Sequence, residues 1–431
     1  MRSISFLKSQ LYQLYFSKVK NFKLFPKPSS DIEYPECDGI RGIAILLVFW
    51  LHCTYGLDFR GVEYSYWNIF YISAHSGFYG VQLFFVLSAY LLFFSQYSRI
   101  LNGKSPQKIS HFMIRRFFRI APVYYLSIFA IVYFVNTGLA AENKFKYTLL
   151  HLLFLHIFDM EVVKSINAVT WSLGVEFFFY LVLPFVILIS FKFNNLWNRN
   201  RARYLNIFLT LFISLSIIVI VLNTTSLFAK SATSFCFGVL AAVASHAILQ
   251  QSKIKIWQST LVGVFSIIGA LSIHYYLYYI GQKSDRLFNE YLISNIPLIS
   301  FFYAISLVVA SQKDYILYPI LSFFPLRIIG LFSYEIYIIH VFIINHWTTK
   351  FHFYNQMNHL SPVINGSIIL FFTVIAAGLI HFFISRPFIQ ISSSMIKKKS
   401  TQSLPRWMQI ANFAFLSITL GCLLHLIITA T

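Results

Sequence analysis

One apolar stretch carries two side chains that could do chemistry. In "DGIRGIAILLVFWLHC", residues 38–53, Arg41 stands near one end and His52 near the other. An arginine binds anions, and a histidine takes up and returns a proton near neutral pH. On an α-helix this spacing is about three turns, which puts both side chains on one face and about 16 Å apart. Ionisable residues in such a segment usually face a protein interior or a wet cavity, although Arg41 alone could equally be a membrane-surface anchor.

Two further apolar segments also contain ionisable side chains. In "FMIRRFFRIAPVYYL", residues 112–126, Arg116 and Arg119 are three residues apart. They therefore share a helical face and could grip phosphate oxygens together, whereas Arg115 points elsewhere and is predicted to meet lipid headgroups. Glu176 lies inside "TWSLGVEFFFYLVLP" and needs a partner. That partner is either an arginine in a structural salt bridge, or His52 or a substrate hydroxyl.

The remaining histidines and the cysteines give weaker indications. His340, in "SYEIYIIH", is either a helix-packing residue or an additional site residue. The spacing of the other histidines outside the spans predicts no metal site, and we expect these to be surface or interfacial residues: His75, His151, His156, His352 and His359. The four cysteines have neither metal-ligand nor disulfide spacing. Cys53, next to His52, is predicted to be a small buried apolar residue, and no metal is expected.

The composition places the chain in lipid. Of 431 residues, 58% are hydrophobic and only 11% are charged, against about 25% charged in ordinary soluble domains. The formal net charge is +20. Because the basic residues fall between apolar runs, they are typical of topology signals and surface anchors, not of nucleic-acid binding.

Eleven segments are apolar and long enough to span a bilayer. Basic residues concentrate in alternate loops, which predicts a cytoplasmic N-terminus and an extracytoplasmic C-terminus. A shorter apolar stretch, residues 147–158, would place the basic loop at 192–203 outside if it spanned. It is therefore predicted to be a re-entrant or surface-lying helix. The predicted spans are 40–56, 78–97, 118–136, 170–190, 204–222, 230–249, 256–279, 291–310, 328–346, 362–384 and 407–428.

These segments predict an all-α polytopic membrane protein in four parts. A basic cytoplasmic arm, 1–36, has no recognisable cleavable signal peptide. It precedes a membrane domain at 37–390, a basic cytoplasmic linker at 391–406 and an additional C-terminal transmembrane helix at 407–431. No internal repeat of the kind found in many secondary transporters is visible.

Five motifs in order resemble the membrane-bound acyltransferase-3 family. They are "DGIRGIAILLVFWLHC" (38–53), "GFYGVQLFFVLSAYLLF" (77–93), "FMIRRFFRIAPVYYL" (112–126), "TWSLGVEFFFYLVLP" (170–184) and "SYEIYIIH" (333–340). The resemblance runs from about residue 35 to residue 390. It implies a ten-helix core, to which the eleventh helix here is an addition.

The resemblance implies transfer of an acyl group, usually acetyl from acetyl-CoA, to a hydroxyl of a carbohydrate such as O-antigen, capsule, exopolysaccharide or peptidoglycan. His52 would act as base or as nucleophile. Arg41 would bind the donor or stabilise charge in the transition state. Coenzyme A would meet Arg116 and Arg119, with Ser333 and Tyr334 lining its path. Such a protein is expected in a bacterial inner membrane, with the lipid bilayer and a carbohydrate acceptor as its partners.

The sequence departs from the family in two places and leaves other functions open. Ser385 stands where the family commonly has an acid, and Ala89 where glycine is frequent. Some relatives attach an extracytoplasmic hydrolase-like domain after the core, so a separate extracytoplasmic transferase or glycan-assembly protein is an expected partner. One alternative is a proton-coupled transporter with a relay of ionisable groups: Arg41, His52, Glu176 and His340. Another is an acyl-carrier subunit that serves a separate transferase.

Overall fold

A computed structural model describes most of the chain. Contacts divide it into two units, Met1–Pro35 and Glu36–Thr431, and the account that follows concerns the second. The residues that the structure describes are 34–54, 74, 76–135, 141–196, 226–251, 256–281, 285–312, 318–351 and 361–397.

The described residues form fifteen α-helices, joined in places by single turns of 3₁₀-helix. Long apolar runs produce the long helices, and a π-helical turn, His381–Ser385, separates the last two. In chain order the helices are α1 Pro35–Thr54, α2 Tyr79–Leu101, α3 Ile109–Phe134, α4 Ala141–Leu152, α5 Met160–Ser165, α6 Trp171–Leu196, α7 Leu227–Gln251, α8 Ile256–Gly281, α9 Asp285–Ser294, α10 Ile296–Ala310, α11 Tyr318–Leu321, α12 Phe324–Leu331, α13 Ser333–Phe351, α14 Ser361–Ile380 and α15 Arg386–Lys397.

The prediction of an all-α polytopic membrane protein is confirmed. Within the described ranges seven helices are long and apolar enough to cross a bilayer, or nine if two bent helix pairs each count as one span. These nine correspond to nine of the predicted segments. The other two, 204–222 and 407–428, lie outside the described residues.

Two of the described apolar segments form bent pairs of helices. Helices α9 and α10 meet at an angle of 45°, and α12 and α13 meet at 76°. The second bend places Ser333 and Tyr334 in the first turn of α13. A long membrane helix interrupted in this way can present its helix ends to a protein interior.

Two glycines bring α1 into backbone contact with its neighbours at α11 and α12. A Cβ at Gly39 would lie 1.8 Å from the carbonyl oxygen of Leu321, and a Cβ at Gly330 would lie 1.8 Å from that of Asp38. No larger residue fits at either position without moving the backbone. Glycine thus fixes α12 against the first turns of α1, as small residues do between membrane helices.

The segment at 147–158 does not form a span. It comprises the second half of α4 and a 3₁₀ turn, His156–Phe158. The twelve residues of α4 rise about 18 Å, which is short of the roughly 30 Å of a hydrocarbon core.

The prediction that His151 and His156 are surface or interfacial residues is wrong. Both are fully buried, and their rings stack with centroids 4.3 Å apart. The chain reverses at Phe154, whose φ is 59°, and this reversal folds His156 back against α4. His151 donates from Nε2 to the carbonyl of Val162 at 2.9 Å, which leaves Nδ1 to accept from the hydroxyl of Tyr124 at 3.2 Å. The remaining pair, His352 and His359, and also His75, lie outside the described residues.

We expect this histidine pair to make the stability of the protein sensitive to acid. Burial and the neighbouring His156 lower the pKa of His151 to about 3. An unfolded histidine titrates near pH 6.5, so protons bind the unfolded state more strongly and stability falls as pH drops below that value. At about pH 5, His151 lowers the free energy of unfolding by about 2 kcal/mol.

We expect His151→Gln, whose amide keeps one donor and one acceptor, to reduce this loss. The test is the shift of the thermal unfolding midpoint in detergent between about pH 7 and pH 5. The wild-type midpoint should fall further than that of the variant. Equal shifts in the two proteins would mean that His151 is not a source of the acid sensitivity.

Candidate active site

His52 lies near the end of α1, which we call the histidine end, and one nitrogen of its ring is fixed by the backbone. Nδ1 lies 2.9 Å from the carbonyl oxygen of Val48, one turn earlier. Because a carbonyl only accepts, the proton of the neutral ring is on Nδ1. Nε2 therefore keeps its lone pair and can act as a base or a nucleophile.

His340 is the partner of His52, although 288 residues separate them in the chain. His340 is fully buried in α13. Its Nδ1 donates to the carbonyls of Ile336 and Tyr337 at 3.1 and 2.8 Å. Its Nε2 is thus an acceptor, and this atom lies 3.2 Å from Nδ1 of His52. A proton taken up by His52 would be stabilised by this second ring, much as a third group orients the base of a catalytic triad.

The segment before α6 holds α13 in the position that this pair requires. The hydroxyl of Tyr337 donates to the carbonyl of Val169 at 2.6 Å and lies 2.7 Å from Oγ of Ser172. The side-chain amide of Asn167 donates to the carbonyl of Ile338 at 3.3 Å. These contacts fix the turn of α13 that immediately precedes His340.

A cavity of about 700 Å³ adjoins His52. Two of its walls are aromatic: the rings of Phe78 and Trp171 stack with an interplanar angle of 9° and centroids 5.9 Å apart. Stacked aromatic faces with amide groups nearby suit a ligand that is apolar on its faces and polar at its edge. The residues of the lining that carry this character are Phe78, Lys164, Trp171, Asn289, Tyr337 and Asn345.

A small apolar cluster packs beside the histidine pair, with the ring centroids of Phe49 and His340 6.4 Å apart. Phe49 and Cys53 pack there with Ile344 and Ile369. Cys53 is 4% exposed, in agreement with its prediction as a buried apolar residue.

Arg41 lies far from His52, at what we call the arginine end of α1. Its guanidinium donates to Oδ1 of Asp38 at 2.9 Å. The eleven intervening helical steps correspond to about 16 Å. A group at this distance cannot stabilise charge at an atom that is bonding to His52, so of its two predicted roles the position favours binding of the donor.

Arg116 and Arg119 both lie in the first half of α3, which begins nine residues before the predicted span. Nε of Arg116 is buried and has no hydrogen-bond partner in the described structure. Its guanidinium carbon lies 5.9 Å from the ring centroid of Tyr180. Arg115 and Arg119 are exposed. Arg116 thus has one unused buried nitrogen, and Arg119, one turn later, is exposed. Together they leave donors for an anion.

Glu176 belongs to the arginine end and does not orient His52. Its Oε1 accepts from Oγ of Ser88 at 2.8 Å and from the hydroxyl of Tyr180 at 2.5 Å. The interpretation of Glu176 as the group that holds His52 is therefore wrong. The physical reason is that Tyr180, four residues later on α6, offers a closer donor on the same helical face. The ring of Tyr180, which holds the carboxylate, lies in turn beside the guanidinium of Arg116.

The start of α13 also reaches α3. The hydroxyl of Tyr334 donates to the carbonyl of Ile120 at 2.6 Å, directly after Arg119 in the chain. Ser333 beside it is 5% exposed. These two predicted donor-path residues thus lie at the arginine end, where Tyr334 fixes the backbone of α3.

Ser385, which stands where the family commonly has an acid, contacts a carboxylate from a different helix, that of Glu335 in α13. Ser385 donates to Oε1 of Glu335 at 2.5 Å, and Nδ1 of His381 lies 2.9 Å from the same oxygen. Glu335 is 2% exposed. An acid at 385 would meet a second buried acid, so serine is the compatible residue here.

The comparison with known proteins decides the family. The sequence matches the acyltransferase-domain family over residues 34–382. The chain belongs to the acyltransferase-3 family. No group of three or more histidine, cysteine or acidic side chains within the described ranges could hold a metal ion.

The named relatives are O-acetyltransferases. The chain is 26% identical over 324 residues to the peptidoglycan O-acetyltransferase OatA of Listeria monocytogenes. This alignment covers 71% of this chain and 48% of that protein. It is 25% identical over 354 residues to the O-acetyltransferase OatA of Staphylococcus aureus, which covers 75% of this chain and 52% of that protein. The chain thus spans about half the length of these relatives. No solved structure matches it significantly.

Proposed function

We propose that this member of the acyltransferase-3 family transfers acetyl from acetyl-CoA to a hydroxyl of a cell-surface polysaccharide or a lipid-linked glycan. One observation carries the proposal: the two ends of α1 hold two different sites. The histidine end offers a fixed imidazole beside a cavity, and the arginine end offers cations. A donor with phosphates at one end and a thioester at the other has the shape to join them.

The orientation follows from charge. The basic loops predict that the arginine end faces the cytoplasm of a bacterial inner membrane, where acetyl-CoA is made. The cavity at His52 then opens toward the outer side, where glycans are assembled. The name of the Listeria relative makes peptidoglycan one candidate acceptor, and O-antigen, capsule and exopolysaccharide offer the same kind of reacting group, a sugar hydroxyl.

His52 supports the reaction in either of two ways. As a base, Nε2 removes the proton of the sugar hydroxyl while its oxygen forms the ester bond and the thioester C–S bond breaks, and the proton then passes to the thiolate of coenzyme A. As a nucleophile, Nε2 attacks the thioester carbonyl, and the C–S bond breaks with coenzyme A leaving as the thiolate. The sugar oxygen then attacks the acetyl group as its bond to Nε2 breaks, and the hydroxyl proton passes by way of the freed Nε2 to the thiolate. In both routes Nδ1 keeps its proton, shared between Val48 and His340, as the ring becomes cationic.

The structure does not favour a transporter. Of the four groups of such a proton relay, only the rings of His52 and His340 lie within hydrogen-bond distance of each other. The hydrogen bonds of Glu176 go to Ser88 and Tyr180, and that of Arg41 goes to Asp38.

Labelled acetyl transfer in membrane vesicles tests the proposal. Right-side-out and inverted vesicles receive acetyl-labelled acetyl-CoA and crude glycan lipid, with empty vesicles as the control. We expect transfer when the donor has access to the arginine end. Label that stays on the protein without reaching glycan would indicate an acyl carrier. Label that stays in acetyl-CoA, with a response to a proton gradient, would support the transporter.

A further inference from the structure

One carboxylate joins two arginines from different helices at the arginine end. Oδ1 of Asp38 lies 2.9 Å from Nη1 of Arg41, and Oδ2 lies 3.8 Å from Nη2 of Arg327. Asp38 and Arg41 belong to α1, whereas Arg327 belongs to α12. The relation between Asp38 and Arg327 depends on the packing of α12 against α1, so the sequence gives no sign of it.

The two arginines differ in what they can reach. The side chain of Arg327 is 5% exposed, whereas those of Arg41 and Asp38 are each 24% exposed. Arg327 is therefore an internal anchor, and Arg41 is the arginine that a ligand can meet. Removal of the carboxylate would leave the buried guanidinium without this counter-ion.

The surrounding charges favour an anionic ligand. The charged groups that face Asp38 are Arg41, Arg327 and Arg119, of which Arg119 acts on it across the gap to α3. Glu36, 2% exposed, lies in the same first turn of α1. The three arginines around Asp38 thus outnumber the two acids of this turn, and the excess positive charge is on the more exposed side, at Arg41 and Arg119.

We propose that Asp38 is a positioning residue, which holds Arg41 ready for the phosphate groups of the acyl donor while Arg327 anchors Asp38 from within. The inference rests on the proposed function. An arginine without a partner loses rotamer freedom when it binds a phosphate, whereas one held by a carboxylate a turn away has already lost it. The contact of Gly330 with the backbone of Asp38 keeps this carboxylate and α12 in register.

The test compares two donors in Asp38→Asn. Acetyl-CoA carries phosphates, and S-acetyl-pantetheine presents the same thioester without them. We expect the KM for acetyl-CoA to rise about tenfold, because the variant would lose the equivalent of about one oriented charge-assisted contact with the phosphates. Turnover of S-acetyl-pantetheine, the KM for acceptor and kcat should remain within about twofold. Glu161→Gln, which removes an exposed acid at the histidine end, is the matched control. It should change the kinetic constants for neither donor.

Two further variants keep the test decisive if Asp38→Asn folds poorly. Asp38→Glu should partly restore the KM for acetyl-CoA, and Arg327→Lys should raise it less than Asp38→Asn does. An equal loss with both donors would reduce Asp38 to a structural residue and overturn the inference. An unchanged KM for acetyl-CoA in a folded variant would overturn it as well. If the wild-type protein uses neither donor, the proposed function fails, and this inference fails with it.

Discussion

Replacement of His52 by glutamine is expected to lower acetyl transfer by about 1,000-fold, within the range that general-base catalysis contributes. Glutamine can still donate to the carbonyl of Val48, so the packing of α1 should survive. What it lacks is a basic nitrogen at the position of Nε2. The measurement is the rate of labelled acetyl transfer in reconstituted vesicles, with the amount of folded protein determined by gel filtration in detergent.

Two variants give this result its meaning. Cys53→Ser changes the neighbouring residue on the apolar side of α1 and should keep activity within about fivefold, since it is not expected to touch the reacting groups. His340→Gln should lose about tenfold and shift the pH dependence of kcat, because the cationic form of His52 loses its second acceptor. Substantial activity in His52→Gln would remove the histidine pair from the mechanism.

The helices of this fold could be predicted because a lipid bilayer restricts which segments can cross it. A segment that crosses a bilayer must be long, apolar and helical, so hydropathy located the nine described spans. Charge bias likewise separated residues 147–158 from them. Spacing along one helix placed Arg41 and His52 at opposite ends of α1, and the helix Pro35–Thr54 has that geometry.

Contacts between helices could not be predicted in the same way. Glu176 and His340 each lie inside an apolar run, and nothing local indicates which of them faces His52. The packing of α13 places His340 against His52. Glu176 instead accepts a hydrogen bond from Tyr180 at the arginine end. His151 and His156 were misplaced because a single reversal at Phe154 turns two apparently external rings into a buried stack. Of the missed residues, Asp38 had one available signal, its position three residues before Arg41.

The double variant Arg116→Ala/Arg119→Ala is expected to raise the KM for acetyl-CoA about 100-fold, or about 3 kcal/mol, as two charge-assisted hydrogen bonds to phosphate would contribute. The buried Nε of Arg116 has no hydrogen-bond partner in the described structure, and Arg119 is exposed one turn later. Arg119 is therefore open to a ligand, and Arg116 beside it holds one unused donor. The measurement is the initial rate against acetyl-CoA concentration at two ionic strengths.

Arg115→Ala/Lys108→Ala is the matched control, because it removes the same charge from exposed positions at the start of α3. If the arginines act only as a diffuse positive surface, both double variants should weaken donor binding equally, and added salt should weaken the wild type to the same level. If Arg116 and Arg119 hold the phosphates directly, only their variant should lose affinity. Its remaining KM should then depend less on salt than that of the wild type, since the charges that salt screens are no longer there. Equal behaviour of the two double variants would move the donor site away from α3.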